Sequence, residues 1–90
     1  MAILITAATA QTDSADITVA VGSNPTFLLN GGTLELVPAG AVAIIQAKSG
    51  TQYVTIGQID SLNPAKVLTA SGVFRVRKLP TAVAVGVDQN

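Results

Sequence analysis

Turn-forming residues recur along this chain at short intervals, and that spacing is what most limits the folds open to it. The signals are Gln11-Thr-Asp-Ser14, Gly22-Ser-Asn-Pro25, Asn30-Gly-Gly32, Pro38-Ala-Gly40, Ser49-Gly50, Leu62-Asn-Pro64, Ser71-Gly72 and Leu79-Pro80. Between them lie short runs rich in Val, Ile, Thr and Ala, and β-branched side chains favour the pleated backbone. Short strands punctuated in this way are the pattern of an all-β sandwich or small barrel. With 90 residues the chain makes a single domain, 1–90.

The strands expected are Ala2–Ala8, Ala15–Val21, Thr26–Leu29, Thr33–Val37, Ala41–Lys48, Gln52–Ile56, Lys66–Thr69, Val73–Lys78 and Ala82–Val87, about eight to nine in all and mostly antiparallel. Ile17, Val19 and Val21 should share a face, as should Val83, Val85 and Val87. Three hairpins are expected, at Asn30-Gly31-Gly32, at Ser49-Gly50 and at Ala70-Ser71-Gly72. A helix is the rival for Ala41–Lys48, but the run is short for one. The stretch Gly57–Pro64 reads as a loop with room for one helical turn.

The clearest strand is Gly72-Val-Phe-Arg-Val-Arg-Lys-Leu-Pro80. Extended, it points Phe74 and Val76 to one face and Val73, Arg75 and Arg77 to the other. Pro80 closes it, because a proline offers the ladder no N–H. Arg75, Arg77 and Lys78 hold three of the five basic residues, with Lys78 opposite the arginines if the strand is regular. Three readings of this group stand side by side: a solvated outer face, a protein–protein contact, or an anion site.

Charged residues are 11% of the chain, against about 25% in an ordinary domain, while apolar residues reach 49%. So little charge on so small a domain implies that part of the surface is covered, by further copies (a dimer or trimer) or by a partner. Net charge is zero, which leaves no field to draw in nucleic acid or an anionic membrane. No apolar run approaches the roughly 20 residues of a membrane helix. Ala8-Thr9-Ala10 has the form of a cleavage site, but no basic residue and no long apolar stretch precedes it, so no signal peptide is expected.

With no His and no Cys, the chain lacks the usual general base, the strongest nucleophile and the common soft metal ligands. Asp13 and Asp16 are the acids nearest each other in sequence. They suit a turn and strand entry better than a Ca²⁺ loop. Asp60 with Ser61 reads as a turn, Glu35 as an outward strand residue, and Lys48 beside Ser49 as a weak candidate dyad. Gly31-Gly32 is turn chemistry, not a phosphate loop. No enzyme activity, cofactor or metal is expected.

The segments Tyr53-Val-Thr-Ile-Gly57, Lys66-Val-Leu-Thr-Ala-Ser-Gly-Val-Phe-Arg-Val-Arg-Lys78 and Ala82-Val-Ala-Val-Gly-Val-Asp88 resemble the C-terminal halves of small structural proteins of tailed bacteriophages. The resemblance implies a virion component on the capsid surface, a decoration (cement) protein bound to the major capsid protein or another virion protein. It carries over no catalytic or cofactor residue. Arg75, Arg77 and Lys78 are then candidates for partner contact. The alternatives are a tail, fibre or carbohydrate-recognition module, in which Tyr53, Phe27 or Phe74 would supply a platform, and a homo-oligomeric assembly module outside phage.

Overall fold

The computed structural model describes residues 2–31 and 37–90. They form nine strands: β1 (Ala2–Ala8), β2 (Thr12–Asp13), β3 (Ile17–Val19), β4 (Thr26–Asn30), β5 (Val42–Ser49), β6 (Gln52–Asp60), β7 (Ala65–Val67), β8 (Gly72–Lys78) and β9 (Val85–Gln89). The first sheet has the order β1-β9-β4-β7, and the second β2-β8-β5-β6 with β3 also on β8. Every pairing is antiparallel. The all-β reading holds in its sandwich form. No helix among the described residues is long and apolar enough to cross a membrane.

Alternation explains how the two sheets meet. On β8, Phe74 and Val76 turn inward; on β5, Ala43 and Ile45; on β4, Phe27 and Leu29; on β9, Val85 and Val87. These side chains with Ile5, Val19, Ala41, Ile59 and Leu68 make one buried cluster. The chain passes repeatedly from sheet to sheet, so among the described residues only β5 and β6 form a local hairpin. Its loop is Gly50-Thr51, between the paired Ser49 and Gln52. Gly50 has φ +64°, a backbone that glycine adopts without strain.

Tertiary pairing overrides several local expectations. Gln11–Ser14, expected as a turn, supplies β2, which pairs Thr12 with Lys78 and Asp13 with Arg77. The adjoining Ser14 is buried. Its N–H donates to the Val76 carbonyl (2.8 Å), and its Oγ accepts from the Val76 N–H (2.9 Å) while donating to the Ala15 carbonyl (3.0 Å). A hydroxyl thus replaces a backbone acceptor where the ladder passes from β2 to β3. The strand β6 runs on through the expected loop to Asp60. The hairpin at Ala70-Ser71-Gly72 does not form, because β7 pairs with β4 and belongs to the other sheet. Val21 lies in a turn beyond β3 and Val83 precedes β9, so both are exposed and neither shares its neighbours' buried face. The strand expected over Thr33–Val37, with Glu35 and Gly32 of the expected hairpin, lies outside the described residues except at Val37.

The first sheet closes around a tight approach. The β1–β9 register shifts between Ile5 and Ala8, which pair with Val87 and Val85. Thr6 and Ala7 therefore stand opposite the single residue Gly86. A Cβ on Gly86 would sit 2.5 Å from the Ile5 carbonyl oxygen and 2.9 Å from the Ala7 nitrogen. Both are backbone atoms that cannot turn aside. Gly86→Ala is expected to destabilise the fold by about 2 kcal/mol, seen as a lower urea midpoint at unchanged slope.

Candidate functional site

The outer face of the second sheet gathers half of the chain's charged residues. Asp13, at the end of β2, lies beside Arg77 of β8, and the guanidinium grips it from Nε to Oδ1 (2.8 Å) and from Nη2 to Oδ2 (3.2 Å). Arg75 reaches the same carboxylate at 3.6 Å and donates from Nε to Gln46 Oε1 on β5 (2.7 Å). Its guanidinium also lies 3.6 Å from the centre of the Tyr53 ring on β6, close enough for cation–π attraction. Tyr53 in turn donates its hydroxyl to Asp16 Oδ1 (2.5 Å), and Lys48 donates to Asp16 Oδ2 (3.2 Å). A continuous band of polar contacts therefore crosses β2, β8, β5 and β6.

The electrostatics lock this band in one charge state. The Arg77 hydrogen bond holds Asp13 below its ordinary pKa, and the Tyr53 and Lys48 hydrogen bonds do the same for Asp16. Asp16 raises both Tyr53 and Lys48. The acids are kept charged, and the phenol protonated and the lysine cationic, so neither Tyr53 nor Lys48 is held in the deprotonated form that a base or nucleophile needs. Lys48 is thus engaged by Asp16 and does not activate Ser49. Asp13 and Asp16 serve different cations instead of converging. Among the described residues no three acidic side chains come together to hold a metal ion.

Lys78 departs from the contact set to which its neighbours belong. It has no exposed surface, pointing inward beside Phe74 and Val76. Its ammonium donates to the Ala10 and Leu79 carbonyls, each at 3.0 Å. It cannot join Arg75 and Arg77 in a surface contact. Asp88 is the other buried charge among the described residues, accepting from Asn30 Nδ2 (2.9 Å) at Oδ2, while its Oδ1 has no hydrogen-bond partner. Asp60 acts as the turn reading expects, accepting from the Leu62 and Asn63 N–H groups.

No surface aromatic platform exists among the described residues. Phe27 and Phe74 are buried, and Arg75 lies over Tyr53. What the surface does offer is apolar: Val54 and Ile56 on β6, Leu62 in the loop after it and Val67 on β7 are all exposed. Strand alternation alone would set Val54 and Ile56 on one face, but Val54 pairs with Ala47 and Gly57 with Ile45, so the extra residue at Ile56 breaks the alternation between them. Compared with known proteins, the chain matches no family model, no curated protein and no solved structure.

Two tests follow from these charges. A carboxylate held low in the fold stabilises it above the unfolded value, and that contribution disappears as pH falls through the folded value. Stability should therefore be level from neutral pH down to about 5 and fall below about 4. Asp13→Asn should be less stable at pH 7 and show a shallower acid limb in equilibrium unfolding. Lys78 behaves in the opposite sense. Burial lowers its pKa from 10.5, so its charged form opposes folding at neutral pH, and this penalty lifts as pH rises toward the unfolded value. Lys78→Met should be neutral or stabilising at pH 7, and the wild type should gain on it as pH approaches 10.5.

Proposed function

We propose that this chain is a structural assembly protein, placed in many copies on a bacteriophage capsid as a decoration or cement protein. The observation that carries the reading is the edge of β6, which no strand among the described residues covers and which with the following loop and β7 presents Val54, Ile56, Leu62 and Val67 to solvent. From Gln52 to Ile59 that strand holds no charged residue, and uncharged exposed edges invite pairing with another chain.

The charged band gives the reading a second support. Its arginines are tied to Asp13, Gln46 and Tyr53 within the same chain, so they flank an apolar contact instead of anchoring one. The resemblance to phage structural proteins spans β6 to β9 and supplies the shell as the surface to be covered. Carbohydrate recognition loses its support with the aromatics that would have carried it.

Quantitative mass spectrometry of purified particles from the native source tests the proposal. Tens to hundreds of copies, in a simple ratio to the major shell subunit, are expected. A handful would move the protein to a tail or fibre, and absence from particles would overturn the virion reading.

A further inference from the structure

We infer that two copies of this chain pair through β6, antiparallel about a two-fold axis at Val54, so that their second sheets join into one. The inference deepens the assembly reading and rests on it, naming the first partner as a second copy.

The four sheet edges are unequal. β7 is three residues long, the edge beside β8 is split into β2 and β3, and β1 is irregular at two points of its register. β6 runs for nine residues as the outer member of its sheet. Its far half is guarded: Lys66 lies against Gly57, its Cε 3.1 Å and Nζ 3.4 Å from where a Cβ would stand. Lys66 belongs to β7 of the other sheet, and its ammonium places a charge beside this half of the edge, which deters strand addition. A register shift leaves Ile56 as the extra residue opposite Ile45 and Gln46, ending the regular run. The unguarded part is Gln52–Thr55.

The backbone of that part fixes the register. Ser49 and Gln52 flank a two-residue loop, so Gln52 and Val54 direct their N–H and C=O groups to β5. Tyr53 and Thr55 then direct theirs outward. Self-pairing matches Tyr53 of one copy with Thr55 of the other, twice, and leaves Val54 facing Val54 in the closer, non-bonded position. Val54 stands on the inner side with Ala47 and Phe74, so the pair extends an apolar face. No charged side chain lies on Gln52–Thr55, and a two-fold therefore opposes no like charges along the strand. The contact is isologous and uses up the edge, giving closed dimers and not fibres.

The chain has no cysteine, which makes the test direct. In the proposed register the two position-54 Cα atoms are about 4.5 Å apart, within disulfide reach. Val54 is 52% exposed, so Val54→Cys should fold, as circular dichroism would verify. On mild oxidation of the purified chain it should give a disulfide dimer much faster than Val21→Cys, whose site is 90% exposed and in a turn away from β6. Val54→Lys and Val54→Glu should each lose the dimer in sedimentation and recover it when mixed. Equal oxidation rates at positions 54 and 21, or no recovery on mixing, would overturn the pairing. Because these measurements use the chain without any particle, such a failure leaves the particle copy number to judge the virion reading separately.

Discussion

The hydrogen bonding of β8 along both its edges is the constraint on which the rest of the sandwich depends. On one side it meets β5 over five residue pairs, and on the other it meets β2 and β3 in turn. Alternation then divides its side chains between two different environments. Phe74 and Val76 enter the core, while Arg75 and Arg77 become the cations around which Asp13, Gln46 and Tyr53 arrange themselves. Lys78, next in the inward series, takes an ammonium to the rim of the core and needs the Ala10 and Leu79 carbonyls to receive it.

What was legible in the residues is what local physics decides. Alternation with a glycine before and a proline after marks β8, and the Ser-Gly pair marks the β5–β6 loop. What long-range pairing decides was hidden. Thr12–Asp13 is too short and polar to read as a strand, and becomes one only because β8 lies alongside. Gly57 looks like a strand end, yet it pairs with Ile45. β7 and β8 look like a hairpin because neighbours in sequence usually pair, but β4 takes β7. At the candidate site, Arg75 and Arg77 could be assigned a face in advance. Their acids could not, since Asp13 is brought to Arg77 by a register no local signal encodes.

Scarce charge is distributed unevenly, and this gives the surface two characters. Five of the ten charged residues in the sequence, Asp13, Asp16, Lys48, Arg75 and Arg77, are joined on the outer face of the second sheet. Such exposed pairs contribute modestly to stability; their larger effect is to keep that face hydrated and its charges matched. The β6 and β7 side exposes valine, isoleucine and leucine. A small β domain usually guards its edges with charge; on β6 that charge is Lys66, beside half of the edge.

The pairing of Ala2 with Gln89 has a mechanical consequence. It places the outer ends of β1 and β9 side by side, at the same end of an antiparallel pair. Tension applied at those two residues would load the hydrogen bonds one after another, as in opening a zip, instead of all together in shear. β1 would peel away at low force, with the shifted register at Thr6–Ala7 as a natural stopping point, and β9 would remain attached to β4. A chain held by these ends would yield early under load, whereas one held through its sheet faces would not.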